Sequence, residues 1–128
     1  MSKLVKSIRE AIALSGLKDG MTVSFHHHLR NGDYVLNMVM NEIAALGLKD
    51  ITVNASSLFD AHMPLIDHVK NGVVSGICCN YMAAGPGRAI SQGVMQKSVQ
   101  FRTHGGSHGQ LLRQVRQVRL RQHGLCLR

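Results

Sequence analysis

Met21-Thr22-Val23-Ser24-Phe25-His26-His27-His28-Leu29-Arg30-Asn31-Gly32-Asp33 is a short apolar run that stops in three histidines and a glycine-containing turn. Val23 and Phe25 fall on one face at period two, so the run reads as a buried strand that delivers polar groups to a loop. Gly32 supplies the turn, and Asp33 is an N-cap for the helical pattern that begins at Tyr34. In an open α/β sheet such a junction, at the carboxyl end of a strand and just before a helix, is where ligands sit.

On either side the pattern repeats. Lys3 to Ser15 carries Val5, Ile8 and Ile12 at helical spacing, with Ser2 as the expected N-cap and Gly16 just past the end. Tyr34 to Leu46 is a second helix, apolar on Leu36, Val39, Met40 and Ile43, with Asn37 and Asn41 on another side. The sequence Gly-Leu-Lys-Asp occurs at 16–19 and again at 47–50, each time between a helix end and a strand. Ile51 to Ala55 is a second strand, followed by Ser56 and Ser57. A third helix runs from Pro64 to about Asn71, with Leu65, Ile66 and Val69 inward and Gly72 as terminator. Val73 to Cys79 is a third strand, Gly85-Pro86-Gly87 a loop, Arg88 to Gln92 a short helix closed by Gly93, and Val99 to Thr103 a fourth strand.

The alternation predicts an α/β fold with an open, mostly parallel, Rossmann-like sheet of about four strands, covered on both faces and forming an incomplete domain. Parallel strands bring their polar ends to one edge: His26 to His28, Ser56 and Ser57, Asn80 and Tyr81, and His104-Gly105-Gly106.

A chain of 128 residues holds one core. No apolar run approaches the length of a membrane span, and Met1 to Glu10 alternates charged with apolar residues, unlike a secretory signal. The expected compartment is the cytoplasm, where Cys78, Cys79 and Cys126 would be reduced thiols. The net charge of +8 is uneven. Up to Asp67 there are six Lys or Arg against seven Asp or Glu; from His68 onward there are nine bases and no acid. Residues 1–106 therefore read as the α/β domain, and 107–128 as a basic low-complexity tail of eight residue types, out of frame or disordered.

The embedded histidines are not placed like an expression tag. Metal binding would need a third ligand beyond His26 and His28; hydrogen-bonded structural histidines and substrate-binding histidines are the other readings. His62 and His68 read as surface or capping residues. A nucleophilic carboxylate would have to reach the strand ends, yet the only glutamates, Glu10 and Glu42, fall within helical patterns.

His26 to Asp33, Val35 to Met40, Ala55 to Leu58, Asn71 to Val74 and Arg102 to Gly106 together closely resemble the citrate lyase alpha-subunit family, citrate CoA-transferases similar in fold to the family I CoA-transferases. The resemblance runs from about Leu4 to Gly106. It implies a cytoplasmic enzyme that exchanges the acetyl group on an acyl carrier subunit for citrate, giving a citryl thioester and acetate; a beta subunit then cleaves that thioester. Its partners would be citrate, the beta (citryl lyase) subunit and the gamma (acyl carrier) subunit. The CoA-derived prosthetic group would stay on the carrier, with no cofactor or metal bound directly and no role for nucleic acid or membrane. The family's catalytic glutamate lies in a later part of longer chains, so no catalytic residue is assigned and this piece is expected to be inactive alone.

The substrate-binding candidates are His26, His27, His28, Arg30, Asn31, Gly32, Ser56, Ser57, His104, Gly105 and Gly106. Arg30 can pair bidentately with a carboxylate, and backbone N–H groups near Gly32-Asp33 and Gly105-Gly106 can face an anion. The rival class is a small basic module that uses Leu111, Val115 and Val118 beside Arg113, Arg116 and Arg119 to meet nucleic acid or an anionic surface. A shifted reading frame accounts for the tail's composition and for the loss of resemblance. Arginines without acids repel one another and leave the tail open, so limited trypsin treatment is expected to cut first after Arg113, Arg116 or Arg119. Protection of those bonds would mean that the tail is packed.

Overall fold

The computed structural model describes residues 4–26, 32–103 and 105–106; the tail and its expected trypsin sites lie outside the described residues. The first helix, α1, spans Ile8–Ser15, shorter than the apolar spacing suggests. Ser7, not Ser2, caps it: its hydroxyl accepts from the Glu10 N–H at 3.1 Å, and the Glu10 carboxylate accepts from the Lys6 N–H at 2.6 Å. A serine with a glutamate three residues later satisfies free N–H groups at both points, and this fixes the start. Gly16, at φ 70°, ends the helix in the left-handed region.

Strand β1 is Thr22–Phe25, with Val23 and Phe25 packed on the core. Helix α2, Val35–Ala45, follows. The helix starts one residue later than expected, so Tyr34 and not Asp33 is its N-cap; Asp33, one residue ahead, still accepts from the Val35 N–H at 2.9 Å through its carboxylate. Leu36, Met40 and Ile43 are fully buried, each worth about 1.5–3 kcal/mol relative to exposure. Asn37 is also buried, against expectation. It stands on the apolar side of α2 because its amide has a fixed partner, the Ala61 carbonyl at 2.8 Å.

Strand β2 runs over Ile51–Leu58 and β3 over Val74–Met82. Each extends three residues beyond its predicted end, because Ser57 pairs with Tyr81 and Leu58 with Met82 in the ladder. Polar residues continue a strand when a neighbour supplies the pairing. Between them lie a 3-10 turn, Asp60–His62, and α3, Leu65–Lys70, which buries Leu65, Ile66 and Val69 as predicted. Gly85-Pro86-Gly87 is not a loop: α4 spans Ala84–Ala89 and includes it. Proline is tolerated there because its missing N–H falls in the first turn, where no helical partner is needed. A π turn, Ile90–Val94, ends at Gly93 with φ 85°, and β4 is short, Gln100–Phe101.

The four strands are parallel and lie in the order β1-β2-β3-β4. The expected open α/β sheet is therefore present, but its covering differs. When successive strands always step the same way, crossovers of the usual right hand place the connecting helices on one face. Accordingly α1 meets α2, α2 meets α3, and α3 meets the π turn. The face with the helices carries Val53, Ala55, Ile77 and Cys79, all in the core. The opposite face carries Ser24, Asn54, Cys78 and Gln100, aligned in register across all four strands. Expected coverage of both faces gives way, among the described residues, to a single helical layer.

The two Gly-Leu-Lys-Asp links lie side by side. The Asp19 carboxylate accepts from the Lys49 N–H at 2.9 Å, and the Gly20 N–H donates to the Lys49 carbonyl at 3.3 Å. They tie the starts of β1 and β2 together, leaving the opposite edge of the sheet to the loops that follow the strands. Met40, with no exposure, and Met38, 52% exposed, separate packing from propensity on α2. Met40→Ala is expected to cost about 2–5 kcal/mol and Met38→Ala to fall within about 0.5 kcal/mol of the parent, as measured by urea unfolding.

Candidate functional site

The short strands β1 and β4 end at one level, beside Ala55 of β2 and Cys79 of β3, which continue three residues further. Phe25, Ala55, Cys79 and Phe101 are mutual register partners, so the next residue on each strand is His26, Ser56, Asn80 and Arg102. His26, Asn80 and Arg102 are exposed and Ser56 is half-buried. The Asn80 amide donates to the Arg102 carbonyl at 3.2 Å. The Arg102 guanidinium donates to Gln100 Oε1 at 2.7 Å. This is a polar row with one fixed cation at its end, and Arg102 was missed among the sequence candidates. The clue was its place just before Thr103-His104, but nothing in the sequence sets the level of one strand end against the next.

Of the candidates, His26 takes its predicted place after β1. His27, His28, Arg30, Asn31 and His104 lie outside the described residues. Ser56 and Ser57, treated together in the sequence, belong to β2 and point to opposite faces, as alternate strand residues must. Gly105 and Gly106 follow Thr103 in a turn where the Gly106 N–H donates to Thr103 Oγ1 at 3.1 Å. Glu10 and Glu42 are remote from this edge: Glu42 pairs with Arg9 at 2.8 Å, and Glu10 is spent on the α1 cap. Among the described residues no three His, Cys, Asp or Glu side chains gather to hold a metal ion.

Gly32 has φ 83°, a conformation open mainly to glycine. It is also tightly enclosed. A Cβ there would stand 2.7 Å from His62 Cε1 and 3.0 Å from Phe59 Cδ2. His62 is fully buried, so the expectation of a surface residue is wrong while that of a capping residue holds. Its Nδ1 accepts from the Phe59 N–H at 3.0 Å, and its Nε2 meets the Asp33 carbonyl at 2.9 Å. The Phe59 ring also tilts against Tyr81, with centroids 5.8 Å apart. His68 is half-buried and joins α3 to α2 through Asn41 Oδ1 at 3.0 Å. Burial holds its pKa below the usual value, against the opposing pull of Asp67.

The adjacent thiols are free and face opposite ways, Cys79 into the core and Cys78 toward Gln100. Burial pushes both up, Cys79 to about 11, while Arg102 pulls Cys78 partly back. Neither is a reactive nucleophile at neutral pH.

A family model described as the citrate lyase alpha subunit matches residues 1–117. The chain belongs to the citrate lyase alpha-subunit family. It is 51% identical over 104 residues to the citrate lyase alpha chain of Haemophilus influenzae, covering 81% of this chain and 21% of that one. The Klebsiella pneumoniae citrate lyase alpha chain is 48% identical over 104 residues, with 81% and 20% covered. A crystal structure assigned to the alpha subunit of citrate lyase from Streptococcus mutans, in complex with citrate, superposes with a TM-score of 0.80 at 54% identity, covering 84% of this chain and 21% of that one. The chain thus spans about a fifth of the length of these citrate lyase alpha chains. No helix among the described residues is long and apolar enough to cross a membrane.

A thiol whose folded pKa lies above its unfolded one stabilises the fold below the unfolded pKa and loses that contribution as pH rises through the folded value. For Cys79 the window opens near pH 9 and closes near 11. Alkaline unfolding followed by circular dichroism is expected to show stability falling across that range, with a smaller fall in Cys79→Ala. The two variants having equal slopes would place the effect elsewhere.

Proposed function

We propose that this chain forms the citrate-holding part of a citrate CoA-transferase, the alpha component of citrate lyase. The observation that carries the reading is the solved neighbour: at 54% identity and a TM-score of 0.80, its complex contains citrate. The geometry agrees in kind. The strand-end edge offers hydrogen-bond donors and a cation, His26 and Arg102 on the polar row, with His27, His28, Arg30, Asn31 and His104 beside them in sequence. An edge rich in donors suits a ligand that carries carboxylates.

The reaction would pass citrate onto the thioester of an acyl carrier subunit. A carboxylate attacks the acetyl thioester carbonyl, the thiolate leaves, and after exchange a citryl thioester and acetate result. The prosthetic thiol would stay on the gamma subunit, and the beta subunit would cleave the citryl product, all in the cytoplasm. The nucleophilic carboxylate is not supplied by this chain, since Glu10 and Glu42 are engaged far from the edge. Holding substrate and transferring it are then divided between this part and the rest of the alpha chain.

Two measurements test the reading. Calorimetric titration with citrate is expected to give saturable binding that weakens several-fold in Arg102→Gln, the loss of one charge-assisted hydrogen bond. Incubation with acetylated carrier and citrate is expected to give no turnover above the uncatalysed rate. Steeply salt-dependent binding to a random DNA duplex with no response to citrate would instead favour the basic-module reading.

A further inference from the structure

We infer that His62 is the positioning residue of the strand-end site: through one neutral tautomer it fixes where the backbone of Gly32 and Asp33 stands, and with it the start of α2. The inference rests on the citrate-holding reading for its functional consequence, but its geometry is independent of it.

A carbonyl oxygen can only accept, so His62 Nε2 carries the proton and donates to Asp33 at 2.9 Å. The Phe59 N–H can only donate, so Nδ1 carries the lone pair at 3.0 Å. The two main-chain groups together select the tautomer, and a second proton would set two donors face to face. A fully buried imidazole spent on two backbone groups is an expensive choice where an apolar side chain would fill the space. What the imidazole adds is direction. The Gly32 backbone lies against the ring so closely that a Cβ would come within 2.7 Å of Cε1 and 3.1 Å of Nε2.

The same turn reaches the other loops. The Ala61 carbonyl holds the Asn37 amide at 2.8 Å, which fixes the first turns of α2. The Asp60 carboxylate accepts from the Gly85 N–H at 3.0 Å, and the Ala83 N–H donates to the Leu58 carbonyl at 2.8 Å, which fixes the segment after β3. Residues 59–62 therefore tie the start of α2 to the segment after β3, and His62 is the member that reaches Asp33, just ahead of α2. Its removal would let Gly32 and Asp33 move while β2 and β3 keep their pairing.

His62→Asn keeps an acceptor where Nδ1 stands and has no donor that reaches Asp33; His62→Gln restores a donor at the Nε2 position. In labelled protein, nitrogen spectra of the ring should show Nε2 protonated and Nδ1 bare. His62→Asn is expected to bind citrate about tenfold more weakly, the scale of one buried hydrogen bond, and to exchange the Val35 amide faster while the Phe59 amide stays protected. His62→Gln should recover most of both losses. The opposite tautomer overturns the inference. So does His62→Asn with citrate affinity and Val35 exchange unchanged, or a uniform loss of protection that His62→Gln does not repair. If the parent chain binds no citrate, the citrate reading fails by itself, and the tautomer with the Val35 and Phe59 exchange pattern still decides the role of His62.

Discussion

Four parallel strands paired in sequence order impose a direction on everything attached to them. Each crossover steps the same way, so α1, α2 and α3 form one layer, and the middle of the sheet face beneath them is wholly apolar. Val53, Ala55, Ile77 and Cys79 meet Leu36, Met40 and Ile43 there. The other face has no such requirement, and the row Ser24, Asn54, Cys78, Gln100 reflects it. One buried acceptor on that face, Asn54 Oδ1, has no hydrogen-bond partner. Such a group costs about 1–3 kcal/mol, a penalty the apolar face must outweigh.

The same pairing produces the site. Parallel strands end at one edge, and the register places His26, Ser56, Asn80 and Arg102 at a common level one residue beyond the row Phe25, Ala55, Cys79, Phe101. β2 and β3 extend past that level because they have each other to pair with; β1 and β4 stop near it. The Asp60–His62 turn then links neighbouring segments with side chains instead of ladder bonds, using His62 toward Asp33 ahead of α2 and Asp60 toward α4.

Electrostatically the edge and the bulk charge tell different stories. The excess of +8 comes from the chain after Asp67, whereas the described domain pairs some of its charges, Arg9 with Glu42 at 2.8 Å and Lys97 with Asp50 at 3.3 Å. These exposed pairs contribute little to stability, but they leave Arg102 as a cation whose described partners are neutral side chains. A guanidinium whose described partners are neutral is a better basis for anion recognition than net charge alone.

The sequence by itself determined the alternation of helix and strand, the parallel sheet, the core stripe of α2 and the family, because each is written in local spacing or in contiguous motifs. Gly32 could be read as a turn from its type alone. Only the tertiary structure decided that β2 continues through Ser57 and β3 through Tyr81, that Gly85-Pro86-Gly87 is helical, that Asn37 faces inward and that His62 is buried. Each of these depends on a partner distant in sequence: Tyr81 for Ser57, Ala61 for Asn37, Asp33 for His62. A histidine that serves two main-chain groups in a core has the same letter as one on the surface. What separates them is the approach of Gly32, 30 residues away along the chain, and that approach exists only once β1 and β2 have paired.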